Sequence, residues 1–261
     1  MITFFQALIL GIVEGITEFL PISSTAHLDI TTRLLGIVHN EFVSSFMIVI
    51  QLGAIAAVGI LFFKQIIFSK DLIIKMIAGF LPVAVVGFLI YPLVKHRLLG
   101  NIIIEISAIF VGGLVFLYFG NKFDNSRVKE SVSEDKNDLS IGNYIKLGCW
   151  QILALIPGVS RSGSILIGGL AENLPISQVV RAAFFLAIPT MFAASGYDLL
   201  KTGFSFTVQQ WQVLIFGTVI SGIVAFFVAQ FFMKLMKKPG ALKVFGWYRI
   251  VLAAILFVIF F

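Results

Sequence analysis

Long apolar stretches alternate with short polar segments over the whole chain, at a length that suits membrane-spanning helices. Six stretches each hold about 20 predominantly apolar residues, enough for a helix to cross the hydrocarbon core of a bilayer. They lie at 42–63, 73–94, 102–120, 179–200, 211–233 and 244–261. The pattern predicts six spanning helices and an all-α polytopic membrane protein.

Two further apolar regions do not fit a single span. Residues 2–35 and 144–175 are each broken by a proline that small hydroxylic residues follow, in "LPISSTAH" and "IPGVSRSG". Proline removes a backbone donor and ends or kinks a helix. We interpret these regions as two broken, re-entrant helix pairs, with a simple kink as the alternative for each proline.

The longest polar segment, residues 124–140, divides the chain into halves of similar order. Each half begins with a broken element and continues with three spans, at about 1–120 and about 144–261. The stretches "LGIVEGITEFLPISS" and "LGCWQILALIPGVS" also align from Leu-Gly to the proline with one residue of slippage. We therefore expect a single membrane domain over 1–261, built from two repeats joined by this linker.

Composition excludes a soluble globular protein. Hydrophobic residues make up 59% of the chain, charged residues 12%, and the mean hydropathy is +1.04. Cys149 is the only cysteine, which excludes an intrachain disulfide and a cysteine metal cluster. The net charge of +6 is spread over loops rather than along a basic stripe, so no nucleic-acid partner is expected.

The loop charges predict the orientation. If each broken element enters and leaves on one side, loops 64–75, 121–146 and 234–243 share a face and carry twelve Lys and Arg residues, against three on the other face. The positive-inside rule makes the richer face cytoplasmic. The first broken element then enters from outside and the second from the cytoplasm. This is an inverted repeat, in which a binding site lies between the broken helices.

Glu14 and Glu18 precede the first proline with a helical i, i+4 spacing, so their side chains share one face. Two carboxylates this close inside a membrane are costly unless a cation or a shared proton compensates. The natural partner is a divalent cation such as Mg or Ca. A buried structural ion pair is the alternative.

The hydroxylic residues after Pro21 predict an anion site. Ser23, Ser24 and Thr25 stand where a second helix would begin, and a helix N-terminus presents backbone N–H groups to an anion. His27 follows Ser24 by three residues, on the same face of that helix. The pair has the spacing of a nucleophile with its base, or of a phosphate ligand with an acid.

The second broken element offers a basic phosphate cradle. Arg161 stands between Ser160 and Ser162, with Gly158 and Gly163 on either side. Arginine grips phosphate oxygens with two parallel N–H groups, and glycine lets backbone amides approach an anion. The Gly-Lys-Ser/Thr ending of a Walker A loop is absent. A structural pairing of Arg161 with a glutamate is the alternative.

These motifs resemble those of the undecaprenyl pyrophosphate phosphatases of the bacitracin-resistance type. The matching stretches cover nearly the whole chain: "EGITEFLPISSTAH" (14–27), "IQLGAI" (50–55), "ALIPGVSRSG" (154–163), "FLAIP" (185–189) and "WYRI" (247–250). The resemblance implies hydrolysis of a polyprenyl diphosphate lipid to its monophosphate in the bacterial plasma membrane, as part of cell-wall carrier recycling. It also implies an inverted repeat of helices, a homodimer and a site that opens to the outer side.

By position, the family's catalytic residues fall on Glu14, Glu18, Ser24, His27 and Arg161. We expect the two glutamates to hold the metal. The expected phosphate ligands are Ser23, Thr25, Ser160, Arg161, Ser162 and Gly163. Ser24, His27 and water remain alternatives for the nucleophile, and a transporter or flippase of a phosphorylated lipid is the alternative function.

The chain departs from the family pattern mainly at small residues. Alanine stands at positions 26, 183 and 193, where glycine or serine is usual, and Asp29 replaces an aliphatic residue. These positions bear on backbone approach and substrate fit. The expected metal and phosphate ligands are unaffected.

Overall fold

A computed structural model of the protein describes residues 2–98, 100–123, 139–202 and 205–261, and every regular element among them is helical. In chain order the helices are α1 Phe4–Thr17, α2 Ser24–Leu34, α3 Glu41–Val49, α4 Gln51–Leu61, α5 Phe63–Phe68, α6 Lys70–Leu93, α7 Ile102–Phe123, α8 Ile141–Gln151, α9 Arg161–Ala171, α10 Ile176–Lys201, α11 Val208–Leu235 and α12 Ala241–Phe260. A π-helical turn, Val94–Leu98, follows α6, and a 3₁₀ turn, Ile152–Leu155, follows α8.

Six helical segments of the described chain are long and apolar enough to cross a membrane. They are Glu41–Leu61, Lys70–Tyr91, Ile102–Phe123, Ile176–Lys201, Val208–Leu235 and Ala241–Phe260. Each coincides with one of the six stretches predicted from hydropathy. The prediction of an all-α polytopic membrane protein is confirmed.

Local sequence explains where the helices begin. Thr3 and Thr207 form capping boxes with the glutamine three residues later, which satisfies free N–H groups at the starts of α1 and α11. The side chains of Asn40, Ser69 and Ser140 accept similar bonds at the starts of α3, α6 and α8. These caps place each helix start in a short polar segment between apolar runs.

Helices α1 and α2 form one hairpin, and helices α8 and α9 form a second. In each hairpin, the start of the first helix lies beside the end of the second helix. Gln6 Nε2, near the start of α1, donates to Leu35 O just after α2, at 3.4 Å. Lys146 Nζ, in the first turns of α8, lies 2.6 Å from a Glu172 carboxylate oxygen just after α9. A re-entrant element requires this geometry. That each hairpin dips into the membrane from one face remains a prediction.

Each hairpin packs against a long helix from the other half of the chain. Helix α1 packs on α11 of the second half, whereas α8 packs on α6 of the first. In both contacts a glycine lets two helix backbones approach closely. A Cβ on Gly11 would lie 2.7 Å from the Gly217 carbonyl oxygen. A Cβ on Gly148 would collide with the Gly79 carbonyl oxygen in the same way. The two-repeat division remains a prediction. The predicted linker falls mostly on residues 124–138, outside the described part of the chain.

The outer surface is apolar, while polar groups lie inside the bundle. Phe88, Leu89 and Val258 are among many large apolar side chains more than two thirds exposed. Glu14, Glu18 and Arg249, by contrast, are buried. Apolar surface at helix exteriors suits a lipid surround. The polar interior lies where the two hairpin turns meet.

Candidate active site

The turn of the first hairpin brings a carboxylate and a hydroxyl together. Helix α1 ends at Thr17, and Pro21 lies in the turn that follows. Ser23 then adopts φ +73°, a conformation that costs a non-glycine residue of order 1–3 kcal/mol and tends to occur at functional sites. Helix α2 begins at Ser24, whose side chain contacts Glu18, so the helix N-terminus lies beside this carboxylate.

Glu18 is the centre of the site. Its Oε2 accepts a hydrogen bond of 2.5 Å from Ser24 Oγ, and its Oε1 lies 3.0 Å from Arg161 Nη2. All three side chains are at least nine-tenths buried. Charge-assisted hydrogen bonds are strong in such a low-dielectric environment. One carboxylate therefore joins the hydroxyl of the first hairpin to the cation of the second.

The turn of the second hairpin aims Arg161 at this carboxylate. The 3₁₀ turn after α8 leads into Pro157 and Gly158, whose φ of +90° favours glycine. Arg161 is the first residue of α9. Its Nη1 donates to Ala183 O at 2.7 Å, which fixes the plane of the guanidinium. Because this bond uses a backbone carbonyl, alanine at position 183 does not weaken it.

Glu14 lies one helical turn before Glu18 and is fully buried. Neither of its carboxylate oxygens has a hydrogen-bond partner among the residues that the structure describes. A buried carboxylate without partners is costly unless a proton or a cation compensates it. The Glu14 carboxylate is therefore suited to carry a proton or to bind a cation.

The donor set is compatible with a hard divalent cation. Glu18 has lone pairs beyond those used by Ser24 and Arg161, and Glu14 has all of its own. No cluster of three or more His, Cys, Asp or Glu side chains placed to hold a metal occurs in the described chain. Mg²⁺ is commonly bound by one or two carboxylates together with water and substrate phosphates. Glu14 and Glu18 fit this pattern.

A cavity of about 170 Å³ lies between the two hairpins. The first hairpin contributes Glu18 and the hydroxylic run 23–25 to its wall, and the second contributes Ser160 and Arg161. Gln51, Gln151 and Thr190 add polar groups from α4, α8 and α10. The structure therefore brings most of the expected site residues together around one space.

The N-terminus of helix α2 lies at the wall of the cavity. Its N-cap residue, Ser23, makes no side-chain capping bond. The partial positive charge of a helix N-terminus is thus directed at the cavity, beside Thr25. This position is suited to a phosphate group.

Three of the expected phosphate ligands instead have partners within the protein. Ser160 Oγ accepts from Gly163 N at 3.1 Å and so caps α9. Ser162 Oγ donates to Leu20 O at 3.1 Å, which ties α9 to the turn of the first hairpin. In this conformation the Gly163 amide is not available to an anion. Arg161 is the principal phosphate-binding group that the second hairpin offers.

His27 lies on α2 but is directed away from Ser24. Its Nδ1 is 2.7 Å from Ser23 O and its Nε2 is 2.7 Å from Tyr248 Oη, with the two rings stacked. Because a carbonyl oxygen only accepts, Nδ1 carries a proton and Nε2 of the neutral ring accepts from the tyrosine. The hydroxyl of Ser24 is bonded to Glu18 instead. The spacing of Ser24 and His27 thus does not produce a hydrogen bond between them here.

The sequence reasoning missed several polar residues around the site: Gln51, Gln151, Thr190, Tyr248 and Arg249. Gln151 is fully buried, donates to Thr190 Oγ1 at 2.9 Å, and has an amide oxygen without a partner in the described chain. Arg249 lies within the last predicted span. A charged residue inside a span is rare and usually functional, and this signal could have identified it.

Comparisons with known proteins agree with the motifs. A family model described as Bacitracin resistance protein BacA matches residues 7–255. A relative named undecaprenyl-diphosphatase from Aquifex aeolicus is 44% identical over 253 residues, 97% of either chain. Relatives of the same name from Flavobacterium johnsoniae and Thermus thermophilus are 38% identical over 259 residues and 36% over 253. These two alignments cover 98% and 96% of this chain, and 96% and 95% of the relatives.

Proposed function

The chain belongs to the Bacitracin resistance protein BacA family, and from this premise we propose that it hydrolyses undecaprenyl diphosphate to undecaprenyl phosphate and inorganic phosphate. The relatives that match nearly its full length are named for this phosphatase activity. In a bacterium the reaction regenerates the monophosphate form of the lipid carrier for cell-wall synthesis.

The observation that carries the proposal is the bridge from Ser24 through Glu18 to Arg161. It joins a hydroxyl, a carboxylate and a guanidinium from distant parts of the chain at the wall of one cavity. Phosphoryl transfer needs positioning and charge stabilisation more than any other contribution from the protein. This arrangement supplies both.

The diphosphate binds with its negative oxygens toward Arg161 and the open N-terminus of α2. Arg161 forms charge-assisted bonds to phosphate oxygens, and its bond to Ala183 O holds the fork in place as substrate enters. The polyprenyl chain extends into the surrounding lipid. The phosphoanhydride bond is thus held against Ser24 and Glu18.

A divalent cation, Mg or Ca, is held in this proposal by Glu14 and Glu18. When bound, it would supply charge neutralisation at the phosphate oxygens. The unpartnered, buried carboxylate of Glu14 supports this assignment.

Ser24 is the nucleophile that the geometry favours. Its hydroxyl already donates to Glu18, which can accept the proton as Oγ attacks the terminal phosphorus. The anhydride P–O bond breaks, undecaprenyl phosphate leaves, and water then hydrolyses the phosphoserine to release inorganic phosphate. Attack by His27, or by water that His27 activates, would need the imidazole to leave Tyr248.

The transporter or flippase alternative receives no support from the comparisons. The family relatives reported above carry the name of a phosphatase. The charged side chains at the cavity also exceed what anion binding needs, since Arg161 and a helix N-terminus would suffice for that. We retain hydrolysis as the function.

The multi-pass character follows from the six spans, and we further propose that the protein resides in the bacterial plasma membrane with a cavity that opens outward. Thr25→Cys in a Cys149→Ser background, in intact cells, should react with a membrane-impermeant thiol reagent. A cysteine at Ser131, in the linker, should be protected. The reverse pattern would move the cavity mouth to the cytoplasm. The homodimer remains a prediction, which light scattering of the purified protein would check.

The direct test of the function is phosphate release from undecaprenyl diphosphate by the purified protein. We expect turnover with Mg²⁺ or Ca²⁺, loss of turnover in a chelator, and recovery when the cation is restored. Glu172→Gln, a change at a surface ion pair far from the cavity, serves as the matched control for glutamate substitutions. Absence of phosphate release under all cation conditions would refute the proposal.

A further inference from the structure

Arg249 is a cation in the middle of α12, where only 1% of its surface is exposed. Placing a charged side chain inside a membrane protein costs several kcal/mol unless its donors are satisfied. Arg249 makes four hydrogen bonds, all to backbone carbonyl oxygens. The positions of these four carbonyls in the fold indicate why the charge is buried here.

Two of the four carbonyls belong to the hairpin turns. Nη1 donates to Pro21 O at 3.1 Å, in the turn of the first hairpin. Nη2 donates to Gly158 O at 3.0 Å, in the turn of the second. Pro21 lies three residues before Ser24, and Gly158 three residues before Arg161. One guanidinium thus bonds to both turns, each three residues before a group of the proposed site.

The other two carbonyls anchor the guanidinium to α7. Nε donates to Ile109 O at 3.2 Å, and Nη2 also donates to Ala108 O at 3.0 Å. The guanidinium of arginine has donors on three nitrogen atoms and can bond acceptors in several directions at once. The ammonium of lysine has a single nitrogen atom and cannot reach all four carbonyls. The two turns are therefore fixed to the α7–α12 pair as well as to each other.

Helix α7 leaves space for this guanidinium at Gly112. A Cβ there would lie 2.7 Å from Cζ of Arg249 and 2.8 Å from its Nε. An alanine would push the guanidinium away from its four acceptors while leaving residue 249 unchanged. Gly112 thus offers an independent way to disturb the same contacts.

We propose that Arg249 is a positioning residue of the active site, which sets the alignment of Ser24 and Glu18 with Arg161 by holding the turns of both hairpins. This role rests on the phosphatase function proposed above. Arg249 touches neither the carboxylates nor the hydroxyl of the site, so it acts through the backbone. Small displacements of reacting groups are enough to cost large factors in rate.

The first test is the kinetics of Arg249→Lys. We expect kcat per folded molecule to fall by about tenfold or more, with KM changed by less than about threefold, because phosphate-binding groups remain but their alignment is lost. The folded fraction is measured by size-exclusion chromatography and thermal unfolding in detergent. An unchanged kcat per folded molecule would show that Arg249 serves folding alone.

Gly112→Ala provides a second variant in case Arg249 substitutions reduce folding. It should lower kcat in the same way, whereas Gly59→Ala should not, since a Cβ on Gly59, also within a helix, meets no atom within 4 Å. In an Arg249→Leu background, Gly112→Ala should have little further effect, because the displaced guanidinium is absent. Multiplicative losses in that double variant would overturn the proposal.

A measurement independent of turnover separates this proposal from the function itself. In a Cys149→Ser, Thr25→Cys protein, Arg249→Leu should raise the rate of thiol labelling by about threefold or more, since the first hairpin would open locally more often. An unchanged labelling rate in a folded variant would argue against the role of Arg249, whatever substrate the protein hydrolyses. Failure of the wild-type protein to release phosphate would refute only the function.

Discussion

The two hairpins share a backbone plan but differ in chemistry. The alignment of "LGIVEG" with "LGCWQI" places Glu14 opposite Gln151, and the prolines place Ser24 opposite Ser160. Ser24 donates to a carboxylate, whereas Ser160 caps its own helix. The first hairpin carries the acids and an uncapped helix start, and the second carries the arginine. In the proposed site, the two hairpins therefore supply opposite charges.

The largest effect is expected from removing the acids of the first hairpin. Glu18→Gln should lower phosphate release by about a thousandfold, since it removes the charge that Arg161 and Ser24 share. Glu14→Gln should abolish detectable turnover by weakening the metal site, and excess Mg²⁺ should restore part of the turnover. Full activity in both variants, measured beside Glu172→Gln, would contradict the assignment of the first hairpin.

The two counterpart serines separate chemistry from structure. Ser24→Ala should lower turnover by about a hundredfold or more, because the group that transfers its proton to Glu18 is lost. Ser160→Ala should cost about 1 kcal/mol of stability through the lost helix cap, with a much smaller loss of turnover. Equal losses of turnover in the two variants would contradict the proposed difference between the hairpins.

Arg161→Lys tests the contribution of the second hairpin. A lysine keeps the charge but cannot bond Ala183 O and Glu18 together, and it loses the fork that holds two phosphate oxygens. We expect at least about a tenfold loss of kcat/KM, which corresponds to roughly 1.4 kcal/mol of transition-state stabilisation. Unchanged kinetics would make Arg161 a structural counter-charge.

The smallest effect is expected at Tyr248. Tyr248→Phe removes the hydrogen bond to His27 but keeps the ring that stacks on it. If His27 has a supporting role, turnover should fall only about 2- to 12-fold, since one neutral hydrogen bond contributes about 0.5–1.5 kcal/mol. A loss as large as that of Ser24→Ala would instead indicate that His27 acts directly on the substrate.

The fold was largely predictable from the sequence because each feature has a local cause. A run of about 20 apolar residues specifies a span, and a proline with hydroxylic residues specifies a hairpin turn. The predicted span at 42–63 was also correct in extent, although the helix is divided at Ile50 into α3 and α4. The structure of the linker was not testable in the described residues.

The charged residues that meet at the candidate site could be named from the sequence, but their pairing could not. Buried charges in an apolar chain identify Glu14, Glu18 and Arg161. No local pattern, however, shows that Arg161 meets Glu18 across 143 positions. Nor does spacing reveal that Ser160 and Ser162 use their hydroxyls within the fold, or that His27 turns to Tyr248. These outcomes depend on packing between distant helices.

The central claim is that the two hairpins form one catalytic unit through the Glu18–Arg161 pair. A double-mutant cycle with Glu18→Asp and Arg161→Lys, two conservative changes that leave measurable turnover, tests it most directly. If the pair acts as a unit, the double variant should lose much less activity than the product of the two single losses. Losses of kcat/KM that multiply would show that the two residues act independently, and would contradict the claim.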